Sequence, residues 1–220
     1  MPKVLVSDKL SETAVRIFKE RGVDVDYEPT LGKDKDKLLS VIGQYDGLAV
    51  RSATKATKAV IEAGKNLKVI GRAGIGVDNI DIPAATAAGV VVMNTPYGNA
   101  ITTAEHAIAM MFSLVRSIPQ ASASTHQGKW EKSAFMGTEV FGKTLGVIGC
   151  GNIGSIVADR AVGLRMRVAA FDPFLTEERA IELGVEKVDL ETLLARADIV
   201  TLHTPLTDQT RNILSRENLS

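Results

Sequence analysis

Short runs of β-branched and other apolar residues alternate along the chain with segments of mixed polarity that have a helical period. In the first part of the chain, strands are predicted at residues 4–7, 23–27, 48–50, 69–71 and 90–93. Helices are predicted between them, at residues 11–20, 33–42, 57–63 and 82–88. This alternation is typical of a parallel sheet covered by helices, so residues 1–95 are predicted to form one α/β domain.

A second series of the same kind follows. Its strands are predicted at residues 144–148, 167–171 and 199–202, with helices after Asn152, Thr176 and Asp189. Residues 96–220 are therefore predicted to form a second α/β domain, which a long helix precedes.

That long helix is predicted at residues 102–118, with Thr102 or Thr103 as its cap and Pro119 just past its end. From residue 107 to residue 115 only Ser113 is polar, so the helix should be covered on more than one side. Either a partner subunit or the two domains of one chain could provide that cover, and the sequence does not separate the two.

The composition narrows the class of protein. Lys plus Arg and Asp plus Glu both number 26 in 220 residues, so no net charge draws the chain to nucleic acid or to an anionic membrane. The single cysteine, Cys150, excludes an internal disulfide and favours a reducing, cytoplasmic location. No apolar run is long enough for a membrane span, no targeting segment is recognised, and no metal site is predicted.

The most informative motif is GCGNIG at residues 149–154, directly after the predicted strand 144–148. Gly149 would permit the tight turn, Gly151 would let a pyrophosphate approach the backbone, and Gly154 would allow close packing of helix on strand. The unpaired N–H groups and the positive end of the following helix would stabilise the phosphates. This context predicts a dinucleotide site, with a plain glycine-lined turn as the alternative.

Asp172 ends the next predicted strand, where a carboxylate can accept hydrogen bonds from the adenosine ribose. The same charge would repel a 2′-phosphate, and residues 173–175 bring no guanidinium to neutralise one, so NAD is predicted rather than NADP. The alternative role for Asp172 is a helix cap. Cys150 is interpreted as an apolar spacer rather than a redox group, although a helix N-terminus can lower a thiol pKa.

Several longer motifs accompany the fingerprint: RSAT at 51–54, GRAGIGVDN at 71–79, NTP at 94–96, KW at 129–130 and FMG at 135–137. Together they resemble the D-isomer-specific 2-hydroxyacid dehydrogenases from end to end of the chain. The resemblance implies a flavodoxin-like substrate-binding domain followed by a Rossmann-type NAD-binding domain. It also implies NAD-dependent oxidation of 3-phosphoglycerate to 3-phosphohydroxypyruvate, which opens serine biosynthesis, in a homodimer or higher homo-oligomer.

The substrate residues that the resemblance implies are Arg51, Ser52, Arg72, Gly74 and Asn99. The residues themselves agree in part, because a loop with Gly74 and Gly76 can present backbone N–H groups to a carboxylate. Arg51 and Arg72, each at a strand end, can supply forked donors to a phosphate, although a surface ion pair is the alternative for both. Lys132 is a third candidate cation, and the resemblance implies that its segment can lie near the active site of a neighbouring subunit. Trp130 is interpreted as a packing anchor at an interface.

The resemblance also implies further contacts to NAD. It places Asn152 and Ile153 at the pyrophosphate, His203, Thr204 and Pro205 beside the adenosine, and the backbone of Ile75 near the nicotinamide.

Proton removal from the substrate hydroxyl calls for a base, usually a histidine assisted by a carboxylate. None of the three histidines fits. His106 is interpreted as structural within the apolar helix, His126 lies in a predicted polar loop, and His203 belongs to the adenosine wall. The resemblance implies that the catalytic histidine, its glutamate and a substrate-orienting arginine all lie beyond Ser220, so these 220 residues alone are expected to be inactive.

Topology leads to the same expectation. The three strands near 144, 167 and 199 are read as only the first βαβαβ half of a dinucleotide fold, and Ser215 as the cap of another helix. The alternatives within the family are a glyoxylate, hydroxypyruvate or D-lactate dehydrogenase. A non-catalytic NAD-sensing protein resembling a corepressor is the alternative from another class.

Overall fold

Both predicted strand–helix series are present in the computed structural model, which describes residues 1–219. The chain divides into two compact units, the first of which is Met1–Asn99, while the second begins at Ala100. The turn after residue 94 stays with the first unit, where the N–H of Thr95 donates to the carbonyl of Gly74 at 3.0 Å.

The first unit contains a five-stranded sheet in the order β2-β1-β3-β4-β5, with every pair parallel. Its strands are β1 (Lys3–Val6), β2 (Asp24–Tyr27), β3 (Gly47–Val50), β4 (Val69–Arg72) and β5 (Val91–Asn94). Its helices are α1 (Glu12–Glu20), α2 (Lys35–Val41), α3 (Lys58–Ala63) and α4 (Ile82–Ala87). This is the flavodoxin-like order, as expected.

Local capping explains where these helices begin. The Ser11 side chain accepts from the N–H of Ala14, Asp34 from that of Lys37, and Asp81 from that of Ala84. The predicted helix at 33–42 is shorter than expected because 3₁₀ turns at Leu31–Lys33 and Ile42–Gln44 flank α2. Leu5, Leu48 and Ile70 are fully buried and belong to one core. This tight packing fixes the positions of the carboxyl ends of β1, β3 and β4.

The second unit contains a four-stranded parallel sheet in the order β8-β7-β6-β9. Its strands are β6 (Thr144–Ile148), β7 (Arg167–Phe171), β8 (Glu186–Lys187) and β9 (Ile199–Leu202). The helices of the unit are α5 (Ala100–Val115), α6 (Ile118–His126), α7 (Gly154–Gly163), α8 (Glu177–Leu183) and α9 (Leu190–Arg196). Strand order and direction match the first four strands of a Rossmann sheet.

This order corrects the sequence-based topology. The third strand of the Rossmann order is β8, whose two residues are charged and exposed and therefore leave no apolar run in the sequence. The strand at 199 pairs with β6 on the side opposite β7, so β9 is the fourth strand and begins the second half of the fold. The reading of three strands as the first half was therefore wrong.

The helix predicted at 102–118 is α5, which begins at Ala100, so that Thr102 and Thr103 lie inside it rather than at its cap; a second helix, α6, follows and was not predicted. Ser117 adopts a left-handed conformation with φ 50°, which ends α5 at Val115, and Pro119 lies in the first turn of α6, where proline is tolerated. His126, expected in a loop, is the last residue of α6. One face of α5, including Ala104 and Met111, joins the core of the second unit, where α5 packs on α7.

The predicted helix beginning at Ser215 is also corrected. Residues 216–218 form a turn in which the Ser215 N–H donates to the Asn218 side chain at 2.8 Å, so an asparagine closes the turn. None of the helices formed by residues 1–219 is long and apolar enough to cross a membrane.

Candidate functional site

The carboxyl end of β6 is the point at which the strand order of the second sheet reverses. β7 pairs with β6 on one side and β9 on the other, so the loops that follow all three strands reach the same edge of the sheet. Such a reversal opens a crevice, and ligands of open α/β sheets bind there. The glycine motif, Asp172 and His203 each follow one of these three strands.

Gly149 occupies a position that no other residue fits. Its φ is +88°, in the left-handed region, and a Cβ atom there would lie 2.8 Å from the carbonyl oxygen of His203. The chain can therefore turn sharply after β6 only because position 149 has no side chain.

The other two glycines of the motif do different work. A Cβ on Gly154 would overlap the carbonyl oxygen of Gly149, so only glycine lets α7 begin this close to the strand. A Cβ on Gly151 would meet no atom within 4 Å, and Gly151 is exposed. Space is therefore left open at the N-terminus of α7, where backbone N–H groups and the helix dipole favour an anion.

Asp172 braces this turn from the end of β7. One carboxylate oxygen accepts the N–H of Cys150 at 2.8 Å, and the other accepts the N–H of Phe174 at 2.8 Å. Each carboxylate oxygen can accept a second hydrogen bond, so Asp172 can hold a sugar hydroxyl while it fixes the loop. Thr176, not Asp172, caps the following helix α8.

Cys150 is buried under the same turn. Burial, followed by the nearby Asp172 charge, raises the pKa of the Cys150 thiol, so the group stays protonated at neutral pH. A raised pKa is the opposite of what a reactive thiolate needs. Cys150 thus serves as an apolar spacer.

His203 follows β9 and is tied to the strand edge. Its backbone N–H donates to the carbonyl of Ile148 at 2.8 Å, and its ring Nε2 lies 2.9 Å from the Thr201 hydroxyl. Burial lowers the pKa of His203, so the ring is neutral at neutral pH. A methyl group of Thr204 would lie 2.8 Å from a Cβ at Gly149, so Thr204 is adjacent to the glycine turn.

The other two histidines are exposed. His106 lies on α5 and is not the buried structural residue that the sequence predicts, because its side of α5 faces away from the core of the second unit. His126 is exposed at the end of α6. Among residues 1–219, no group of three or more His, Cys, Asp or Glu side chains is arranged to hold a metal ion.

In the first unit, the two predicted substrate arginines lie at the ends of adjacent parallel strands but differ in environment. Arg51 is exposed after β3, and its Nη1 lies 3.3 Å from the carbonyl oxygen of Lys9. Arg72, at the end of β4, is only 12% exposed and its Nη1 donates to Asp78 at 2.7 Å. Its Nε is buried and has no partner among residues 1–219. Arg51 is therefore the arginine whose guanidinium is available to a ligand.

In the loop after Arg72, the carbonyl groups of Gly74 and Ile75 accept hydrogen bonds from residues that end or follow β5. The Asn94 side chain donates to the carbonyl of Ile75 at 2.7 Å, and the N–H of Thr95 donates to that of Gly74 at 3.0 Å. The N–H of Gly74, predicted as a donor to substrate, instead donates to the carbonyl of Arg72 at 3.0 Å, whereas within the part of the chain that the structure describes the N–H groups of Ile75 and Gly76 donate to no other group. The loop can thus offer backbone donors to an anion, an arrangement known from other anion-binding loops.

Asn94 was missed by the sequence reasoning, although the NTP motif contains it. Its contact with Ile75 joins residues on two different strand ends, and only the parallel pairing of β4 with β5 brings them together. The predicted substrate residue Asn99 lies in the exposed turn just before α5, and Ser52 is exposed beside Arg51.

Comparison with known proteins decides the family. Residues 108–220, just over half of the chain, match the model of the D-isomer specific 2-hydroxyacid dehydrogenase, NAD binding domain. The chain belongs to this family. The second unit of this 2-hydroxyacid dehydrogenase chain is accordingly an NAD-binding domain, and NAD is its cofactor.

Curated relatives match along the whole chain. The chain is 48% identical to a D-3-phosphoglycerate dehydrogenase of Synechocystis sp. over 100% of its own length and 39% of the relative's. It is 50% identical to the D-3-phosphoglycerate dehydrogenase of Archaeoglobus fulgidus over 97% of its own length and 40% of the relative's. The chain therefore spans about two fifths of the length of the curated relatives it matches.

Solved structures agree with the fold. The TT0316 protein from Thermus thermophilus has a TM-score of 0.88 and 33% identity, covering 98% of this chain and 69% of that one. The D-lactate dehydrogenase from Aquifex aeolicus complexed with NAD and lactic acid has a TM-score of 0.85 and 25% identity, covering 98% of this chain and 64% of that one.

Proposed function

We propose that the protein containing this chain oxidises 3-phosphoglycerate to 3-phosphohydroxypyruvate and opens serine biosynthesis. A hydride passes from the hydroxyl-bearing carbon to NAD⁺, giving NADH, and the hydroxyl proton is released to a base. The observation that carries the proposal is a pair of anion-binding features at adjacent strand ends: the exposed Arg51 and the backbone N–H groups of Ile75 and Gly76. Relatives named D-3-phosphoglycerate dehydrogenase support it.

The glycine turn supports the proposed pyrophosphate site. The pyrophosphate is proposed to lie over Gly151, with Asn152 and Ile153 at the start of α7, because a Cβ at Gly151 would meet open space there. Asp172 is proposed to accept the ribose hydroxyls, with His203, Thr204 and Pro205 along the adenosine. That Ile75 lies near the nicotinamide through its backbone stays a prediction.

The charges around Asp172 support NAD over NADP. Three basic residues lie in this part of the second unit, and a carboxylate already pairs with each. Lys187 pairs with Glu177 at 3.4 Å, Arg179 with Glu182 at 2.7 Å, and Arg196 with Glu186 through two bonds of 2.7 and 2.6 Å. A 2′-phosphate would find the Asp172 charge and no unpaired cation among the described residues of this region.

In the first unit, we assign the substrate carboxylate to the backbone N–H groups of Ile75 and Gly76 and the phosphate to Arg51 and Ser52. Arg72 adds positive charge from a mostly buried position and holds the loop through Asp78. Contact between Asn99 and substrate stays a prediction.

Replacing Arg51 by glutamine tests this assignment. We expect kcat/KM for 3-phosphoglycerate to fall about 100-fold in steady-state kinetics of the full-length protein, because a charge-assisted hydrogen bond to phosphate is lost. D-Lactate, which has no phosphate, should be affected far less. Arg16→Gln is the matched control, since Arg16 is an exposed arginine of the same unit paired with Glu20. Equal losses for both substrates would contradict the phosphate assignment.

A homodimer or higher homo-oligomer is proposed as the working form. Exposed apolar side chains support it: Ile101, Met110 and Leu114 on α5 are 57%, 57% and 77% exposed, and Trp130 is 83% exposed. Solvent contact of this much apolar surface on one unit is unfavourable, so a partner copy would be stabilised by covering it.

Leu114→Glu tests the assembly. A buried unpaired carboxylate would oppose association, so light scattering of the full-length protein should show a lower mass or a dimer that dissociates at higher concentration than the parent. Ile181→Glu is the control, because Ile181 is equally exposed, at 79%, on α8. An unchanged mass for Leu114→Glu would contradict an interface at α5.

A further inference from the structure

The loop that carries Arg51 and Ser52 is held at its backbone by two residues outside the set singled out for substrate binding. Asp8 lies just after β1 and is 3% exposed. One of its carboxylate oxygens accepts the N–H of Arg51 at 2.6 Å and the N–H of Thr54 at 3.1 Å. A buried carboxylate is unfavourable unless it is hydrogen-bonded, so these two donors fix where it can lie.

Asn79 holds the same two residues through their carbonyl groups. Its side-chain amide donates to the carbonyl of Arg51 at 2.6 Å and to that of Thr54 at 2.6 Å. The backbone of Asn79 is itself fixed, because its main-chain carbonyl accepts the N–H of Ala56 at 2.9 Å. The four backbone polar groups of Arg51 and Thr54 are therefore all bound by the side chains of Asp8 and Asn79.

The side chains of the Arg51–Thr54 loop differ in exposure. Thr54 is fully buried and its hydroxyl lies 2.8 Å from that of Ser7, whereas Arg51 and Ser52 are exposed. A rigid backbone that presents two exposed polar side chains is what a binding loop requires, because ordering the loop in advance reduces the entropy lost on binding.

We propose that Asp8 and Asn79 are positioning residues, which clamp the Arg51–Thr54 loop so that Arg51 and Ser52 are held ready for the substrate phosphate. The inference rests on the proposed function, since it assigns no contact of its own with substrate. Asp8 binds the N–H groups of the loop and Asn79 binds its carbonyls, so removing either side chain frees one of the two backbone polar groups of Arg51.

The test is steady-state kinetics of the full-length protein with 3-phosphoglycerate and NAD. Asn79→Ala and Asp8→Ala are each expected to raise the KM for 3-phosphoglycerate about tenfold, with kcat and the Kd for NAD changed less than about twofold. Asp8→Asn keeps an oxygen that can accept both N–H groups and should restore most of the parent KM. Asn66→Ala is the matched control, because the Asn66 amide also donates to a backbone carbonyl, that of Gly43, at 2.9 Å.

A double-mutant cycle separates positioning from general stability. In the Arg51→Gln background, Asn79→Ala should raise the KM less than about threefold, because the group that it positions is already gone. A general weakening of the fold would raise the KM equally in both backgrounds, and that result would overturn the proposal. If Asp8→Ala does not fold, Asp8→Asn and the Asn79 variants decide the matter, with thermal unfolding as the check on folding.

The cycle also distinguishes the clamp from the proposed function. A raised KM in Arg51→Gln with an unchanged KM in Asn79→Ala and Asp8→Ala overturns the clamp and leaves the proposed function standing. An unchanged KM in Arg51→Gln removes the phosphate assignment, and the clamp falls with it.

Discussion

Gly154→Ala is expected to weaken NAD binding about 100-fold and to lower the melting temperature of the NAD-binding unit. The added Cβ would overlap the carbonyl oxygen of Gly149, a backbone atom that cannot swing aside as a side chain can. Either the turn or the start of α7 must therefore move, which displaces the N–H groups to which we assign the pyrophosphate. Overpacking of this kind destabilises by about 1–3 kcal/mol, and the displaced donors add their own loss of affinity.

Two other glycines provide the controls, with NAD binding followed by calorimetry and stability by thermal unfolding. Gly163, in the last turn of α7, has open space around a Cβ, so Gly163→Ala should leave both quantities unchanged or slightly raise stability. Gly151→Ala should leave the stability of the free protein unchanged and weaken NAD binding alone, because its Cβ would meet no protein atom within 4 Å and would occupy the space that we assign to the pyrophosphate. NAD affinity within twofold of the parent for Gly154→Ala would contradict the account of this turn.

The second large effect is expected at Asp172. Asp172→Ala should raise the Kd for NAD about 30- to 100-fold, because it removes the proposed ribose acceptor and also releases the N–H groups of Cys150 and Phe174. Asp172→Asn keeps one acceptor oxygen but no charge. Its Kd for NAD should therefore lie between those of the parent protein and of Asp172→Ala. The discrimination between NAD and NADP should shrink in both variants, since the repulsive carboxylate is gone.

Asp198→Ala is the matched control for Asp172. Its carboxylate also accepts a backbone N–H, that of Thr144 at 2.8 Å, but at the amino end of β6, away from the glycine turn. The Asp198→Ala variant should be somewhat less stable than the parent protein and should keep its affinity for NAD. If Asp172→Ala binds NAD as tightly as Asp198→Ala does, Asp172 has only a structural role in the loop.

The sequence was sufficient where a strand is apolar and its neighbours are local. β6, β7 and β9 were predicted with the bounds that the structure has, because apolar residues make up most of each strand and give a clear signal in the sequence. The glycine motif could also be read directly, since the conformational freedom of Gly149 and the missing side chain of Gly154 are properties of those residues themselves. The parallel, doubly wound class followed from the alternation of elements.

What the sequence did not predict depends on short elements or long-range contacts. β8 consists of Glu186 and Lys187. These residues form a strand because they pair with β7 at the edge of the sheet, and their own residue types do not predict one. The break between α5 and α6 arises at Ser117, which adopts a left-handed conformation. Because this residue is a serine and not a glycine, the sequence does not mark the break. Asp8 and Asn79 reach the Arg51 loop from elements far apart in sequence, so nothing local distinguishes them from ordinary polar residues.

Arg72 illustrates the same limit within a motif. The sequence placed it beside Arg51 as an equivalent phosphate donor, whereas the structure buries its guanidinium against Asp78. The two arginines lie at the ends of neighbouring strands, but the side chain of Arg72 folds into the loop that follows it. Gly74 and Gly76 leave room for it there, with a Cβ at Gly76 lying 3.2 Å from the Arg72 Nη1.

The most direct test of the central claim is the rate of NADH formation by the purified full-length protein with 3-phosphoglycerate and with D-lactate, together with the corresponding rates when NADP replaces NAD. We expect kcat/KM with 3-phosphoglycerate and NAD to exceed that with D-lactate by about 100-fold or more, the contribution of the phosphate contacts, and NADP to be a poor cofactor. A preference for D-lactate, or equal rates with both acids, would contradict the assignment of 3-phosphoglycerate as substrate.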